Sequence, residues 1–171
     1  MRKLSLALLL GLAACAAPMR EPSFRPHGGG IYSTAGLDPA RIMGRWHEVA
    51  GFYDPTRSGC ATGLTQVAAG SAGTLRLTIG DCAGLGPRTV TALPGDAAGR
   101  YRPDLPGRLG DTWWVLWVGS DNDVMVIGTP SGRFGAILSR APTLRPDLYE
   151  AARQVLDFNG YDLAQLKPVA R

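Results

Sequence analysis

The sequence predicts an all-β domain, a sandwich or an up-and-down barrel of short strands, with one late α-helix. Three observations carry this. Apolar and polar residues alternate in short runs between residues 45 and 140. Turn residues punctuate those runs at close intervals. A single segment near the C-terminus has the 3.6-residue period of an amphipathic helix.

Length and composition set the frame. A chain of 171 residues that is 45% hydrophobic and 19% charged suits one domain with a real core. The 23 Gly and 13 Pro demand many turns, and 2 His leave little for a histidine-based metal cluster. Wholesale disorder and a multi-domain nucleotide-binding enzyme are both excluded.

Residues 1–14 read as a lipoprotein signal peptide. Arg2 and Lys3 precede an apolar stretch, residues 4–12, that is too short to span a bilayer of ~30 Å. Leu12-Ala13-Ala14-Cys15 resembles the lipobox of bacterial lipoproteins. That resemblance implies cleavage before Cys15 and acylation of its sulfur and amino group. Two or more chains anchor stably where one does not. Ala16 in place of Asp favours outer-membrane sorting, with the protein facing the periplasm. Losing Arg2 and Lys3 lowers the formal charge from +4 to about +2. No Lys/Arg run follows, so nucleic acid is not an expected partner. Residues 15–35, with Pro18, Pro22, Pro26 and Gly28-Gly29-Gly30, read as a lipidated N-terminus and flexible tether. Residues 36–171 form the domain.

Eight strands are expected, at 46–49, 60–69, 74–82, 88–93, 99–105, 112–118, 124–128 and 134–139. Their separators include Gly70-Ser71-Ala72-Gly73, Pro94-Gly95-Asp96 and Asp121-Asn122-Asp123. The helix begins at Pro146, whose missing N–H is harmless there, with Asp147 complementing the dipole. Leu148, Ala152 and Val155 share one face, Ala151 and Phe158 widen it, and Gly160 stops the helix.

With Cys15 reserved for the anchor, Cys60 and Cys82 remain in an oxidising compartment. A hairpin about Ser71 sets them directly opposite, within disulfide reach.

Two motifs give the fold a family likeness. Gly44-Arg45-Trp46-His47-Glu48-Val49-Ala50 resembles the first lipocalin motif, a 3₁₀ turn followed by Gly-x-Trp. Residues 137–144, Ile-Leu-Ser-Arg-Ala-Pro-Thr-Leu, resemble the last-strand motif of bacterial lipocalins of the outer-membrane lipoprotein type. The resemblance spans about residues 36–168. It implies an eight-stranded antiparallel up-and-down barrel, a calyx with the helix packed outside. It also implies that Trp46 plugs the closed end, with Gly44 before it and the Arg140 guanidinium across its indole. The middle motif, usually Thr-Asp-Tyr-like, reads Ser120-Asp121-Asn122 here.

The function implied is binding of small hydrophobic or amphipathic ligands, such as fatty acids or lysophospholipids, for lipid transport, storage or membrane repair. Candidate ligand-binding residues are Trp113, Trp114, Leu116, Trp117, Met125 and Tyr101. Strict alternation puts Trp113, Val115 and Trp117 on one face and Trp114, Leu116 and Val118 on the other. Which face lines the cavity stays open. Arg100 and Arg102 are candidates for an anionic head group. His47 and Glu48 point to opposite faces, so they make no acid–base pair. No catalytic residue, metal site or cofactor is expected; an isomerase or esterase would need polar groups converging inside the cup. The competing expectation is a structural envelope lipoprotein whose closed barrel contacts a protein partner. The oligomeric state stays open between monomer and homodimer.

Overall fold

The computed structural model of the chain describes residues 23–26, 29–54, 56, 58–82 and 84–169. The expected signal peptide and Cys15 lie outside the described residues. One antiparallel sheet contains β1 (Gly44–Arg45), β2 (His47–Gly51), β3 (Leu64–Ala69), β4 (Leu75–Ile79), β5 (Arg88–Pro94), β6 (Arg100–Pro103), β7 (Trp113–Val118), β8 (Val124–Gly128), β9 (Gly135–Ser139) and β10 (Lys167–Pro168). Its order is β1-β3-β4-β5-β6-β7-β8-β9-β2-β10. The expectation of eight strands is corrected to ten for two reasons. The strand expected at 46–49 is β2, a separate short β1 precedes it across Trp46, and a short β10 pairs with β2. Because β1 pairs with β3 and β2 with β9, one short stretch of chain bonds to both flanks of the sheet and curls it.

Up-and-down connections alternate between two ends. Residues 70–74, 95–99 and 119–123 turn at the Trp46 end. Residues 52–63, 80–87, 104–112 and 129–134 turn at the other end, the mouth. The β3–β4 hairpin pivots about Ala72, one residue later than expected, since Ala69 faces Leu75. Ala72 and Gly73 take φ of 52° and 75° there. A register shift follows between Leu64 and Gln66. Cys60 and Cys82 are nonetheless joined, with Cα atoms 6.1 Å apart. The bond ties two mouth loops and is not a directly opposed strand pair.

Helix α1 (Pro146–Phe158) lies on the outer face of β7–β9, burying Ala152 and Leu156. Its end is a Schellman turn: Tyr161 N donates to Leu156 O (3.0 Å) and Gly160 N to Asp157 O (2.8 Å). Gly160 takes the positive φ of 80° that this turn needs. Phe158, expected on the buried face, is 73% exposed and packs beside Tyr32.

Part of the stretch expected to be a tether is fastened to the barrel. Phe24 N donates to Gly132 O and Thr34 N to Val115 O, both at 2.8 Å. The buried Arg25 guanidinium donates to Asn159 O (2.6 Å), Pro130 O (2.8 Å) and the carbonyls of Gly29 and Gly30. Four lone carbonyls facing one cation explain why an arginine sits inside. Nothing in the local composition advertises this contact.

Candidate functional site

The closed end is built from one stack. A 3₁₀ turn, Pro39–Ile42, is capped by Asp38, whose side chain accepts from Ala40 N. It brings the Ile42 carbonyl to Trp46 Nε1, which donates at 2.8 Å. The Arg140 guanidinium lies 3.6 Å from the centre of the Trp46 ring. It also donates to the carbonyls of Asn122 (3.0 Å), Arg45 (2.9 Å) and Arg41 (3.1 Å). Partial burial lowers its pKa from the ordinary arginine value. Gly44 has φ of 101°, and a Cβ there would stand 3.1 Å from Arg140 Nη1. Asn122, where the family motif carries Tyr, takes φ of 58° and accepts from Arg41 Nε at 2.7 Å. An asparagine tolerates that left-handed backbone, so the loop is braced by arginines rather than by a phenol.

The interior above this floor is apolar. Ile42, Leu64, Val67, Leu75, Leu77, Tyr101 and Trp113 line a cavity of about 20 Å³, together with Val115, Met125 and Ile127. That is room for about one water, far below the several hundred Å³ of a lipid pocket. Tyr101 and Met125 point inward as proposed for ligand contact, and burial raises the Tyr101 hydroxyl pKa.

The tryptophans divide unexpectedly. Trp113, Val115 and Val118 belong to the interior cluster, whereas Trp114, Leu116 and Trp117 pack outside under α1. Strict alternation fails because the β7–β8 register shifts between Val115 and Trp117. One extra residue flips every later side chain to the other face. Trp114, Leu116 and Trp117 are therefore wall residues, not lining. Arg100 lies 3.7 Å over the Trp114 ring, on the outside of the barrel, and Arg102 is exposed.

The mouth is stoppered. Residues 104–112 contain a 3₁₀ turn, Gly107–Gly110, that buries Leu109 to 1% exposure in the interior cluster. Trp113 Nε1 donates to Leu109 O at 3.0 Å. Arg108 donates to Ala61 O (2.5 Å) and Cys60 O (3.4 Å). Its loop joins β6 to β7, and the acceptors lie in the loop joining β2 to β3, on the far side of the curled sheet. The latch therefore crosses the opening. Asp111 holds the other end of this lid, accepting from Ser131 Oγ at 2.5 Å and pairing with Arg133 at 3.3 Å.

Glu48 is the residue that sequence reasoning left without a role. Its carboxylate accepts from the amides of Ala61, Thr62 and Gly63 and from the Thr62 hydroxyl. It joins β2 to the segment before β3 where their backbones part. The Glu-Val-Ala run after Trp46 was the available signal. Tyr53 lies nearby; burial, then the Glu48 charge, raises its pKa. Among the described residues no group of three or more His, Cys, Asp or Glu side chains gathers, and His47 is exposed.

A family model described as a lipocalin-like domain matches residues 102–171. The bovine lipocalin allergen Bos d 2 superposes with a TM-score of 0.60 at 16% identity, covering 78% of this chain and 95% of that one. The fold is lipocalin-like. An odorant binding protein, OBP1, gives a TM-score of 0.54 at 14% identity, covering 79% of this chain and 94% of its own. No curated protein sequence matches. The Trp46–Arg140 floor, the helix on the wall and the lidded mouth of this chain are built on that fold.

Proposed function

We propose that this lipocalin-like chain is a lipid-anchored binding module of the bacterial envelope, at the outer membrane and facing the periplasm. It takes single-chain amphiphiles, fatty acids or lysophospholipids, into its barrel for transport, storage or repair. The observation that carries the reading is the lining: ten side chains converge on the interior and expose no polar surface to it. Each methylene buried there contributes about 0.8 kcal/mol, so a long chain binds without specific polar contacts. Occupancy requires Leu109 to withdraw, because the closed barrel holds only about 20 Å³.

Anchoring through Cys15 fits the path of the chain. The described residues begin where Ser23 Oγ donates to Ser131 O, at the mouth end. Eight extended residues reach at most about 28 Å. A lipidated Cys15 therefore holds the mouth close to the bilayer from which the ligand comes. Cys15→Ser should release the protein into the soluble periplasm. Native mass spectrometry after mild extraction should find one amphiphile per barrel, and lysolipid should quench tryptophan fluorescence. Absence of both rejects the reading.

One observation favours a second reading, a closed structural barrel with a protein partner. A groove of about 440 Å³ runs outside the barrel between Tyr32, Leu116, Trp117, Val155 and Phe158. It is larger than the interior space, and its Tyr32 and Phe158 are 59% and 73% exposed. A stoichiometric crosslinked partner, with no lipid in the purified protein, selects this alternative.

A further inference from the structure

Arg88 opens β5 at the mouth. Its neighbours fix its direction. Val90 and Ala92, two and four residues on, belong to the interior face, with Ala92 fully buried. Arg88 also stands directly opposite Ile79, another interior residue. Its side chain therefore rises from the inner face of the rim. Nη1 donates to Leu85 O at 3.3 Å. Nε and Nη2 are buried and have no hydrogen-bond partner. Buried donors of a permanent cation are seldom left unmet, and here both belong to the edge of a guanidinium that matches a carboxylate or phosphate.

We infer that Arg88 is the head-group site of the barrel and that its ligand is an anionic single-chain amphiphile. The two free N–H groups donate to the anionic oxygens at the rim while the chain descends along the apolar lining. This rests on the binding reading above and narrows it: neutral amphiphiles such as fatty alcohols offer one uncharged acceptor oxygen and form no bidentate charge-assisted pair with the same donors. Charge-assisted bidentate contacts are the strong class of hydrogen bond, worth roughly 10- to 100-fold in affinity. Arg100 and Arg102 lack this placement, since one lies outside over Trp114 and the other is exposed.

The test compares hexadecanoate, hexadecanol and inorganic phosphate on the wild-type chain, Arg88→Met and Arg88→Lys, read by tryptophan quenching and calorimetry. Methionine preserves much of the stem and removes both unmet donors, so Arg88→Met should fold with unchanged or raised Tm. The wild type should bind hexadecanoate at least about ten times more tightly than hexadecanol. Arg88→Met should abolish that ratio while leaving hexadecanol binding intact, and Arg88→Lys should restore part of it. Equal binding of acid and alcohol, or a ratio unchanged in Arg88→Met, overturns the head-group site but leaves the barrel reading standing. Failure of both chains to bind the wild type overturns the barrel reading itself. Phosphate binding without hexadecanoate binding assigns Arg88 to a free anion and overturns the amphiphile class.

Discussion

Replacing Arg140 with alanine tests the account of the closed end. The guanidinium makes three charge-assisted hydrogen bonds to main-chain carbonyls, at 2.9 to 3.1 Å, and one face-on contact with Trp46 at 3.6 Å. Bonds to charged groups contribute about 1.5–3 kcal/mol each when desolvated. Arg140 is only half-buried, so water replaces part of each bond and each falls below that range, to about 1 kcal/mol, or about 3 kcal/mol for the three. The cation–π contact adds about 0.5–1 kcal/mol at such a site. Arg140→Ala should thus destabilise the domain by about 4 kcal/mol, a large share of the usual 5–15 kcal/mol. For a domain of this size the Tm should fall by roughly 8–16 °C. Urea unfolding followed by tryptophan fluorescence should show an earlier midpoint at unchanged slope. Arg140→Lys keeps the charge but not the planar fork, and should recover only about a third of the loss. A loss under about 1 kcal/mol, or a lysine variant as stable as the wild type, refutes the argument that the fork braces three segments at once.

Burial pushes the Tyr161 hydroxyl up to about 12, despite the opposing hydrogen bond from Thr129 N. Its stabilising contribution is complete below pH ~10 and is lost as pH rises toward 12, a loss of about 2–3 kcal/mol. Tyr161→Phe should lack that part of the alkaline loss in pH-dependent urea unfolding. Removing the disulfide with Cys60→Ser and Cys82→Ser should cost about 3 kcal/mol in the same assay. Leu109→Ala should destabilise by about 2–3 kcal/mol and speed uptake of a fluorescent fatty acid in stopped-flow traces. Hydrogen exchange should be slowest in β8 and β9, buried on both faces, and faster in β5 and β6, whose outer positions are exposed.

Much of this fold was legible because its determinants are local. The Gly44–Trp46 turn, the apolar runs at β7–β9 and the Pro146 start each announce themselves in a few residues. The Cys60–Cys82 pairing was legible too, although for an imperfect reason, because a hairpin tolerates a small register error when its flanks are loops. The misses share a physical cause. A bulge within β7 cannot be seen in a run where every residue is apolar, so Trp117 was placed with Trp113. Arg25 donates to carbonyls of residues 29, 30, 130 and 159, a set created only by folding. The Leu109 stopper and the Glu48 seam likewise depend on irregular loops meeting at one rim, through partners 47 and 48 residues apart for the Arg108 latch and 13 to 15 apart for Glu48. The candidate site was therefore half-read: its floor was visible in motifs, while its mouth was not.

The lid also bears on what the barrel can hold. Burying a leucine side chain contributes about 1.5–3 kcal/mol, and each ligand methylene about 0.8. A chain that expels Leu109 must bury about two to four methylenes merely to offset the loss, and more to offset the released Arg108 bonds. Short acids therefore leave the stopper in place. The walls add a second constraint. β7–β9 are covered outside by α1 and the N-terminal strap, whereas the outer positions of β3 to β6 face water. Expansion that makes room for a long chain falls on the single-covered wall, where an outward shift disturbs no second layer. Arg88 stands on that compliant wall, so a head group held at its guanidinium moves with the side that yields and keeps its contacts as the chain enters.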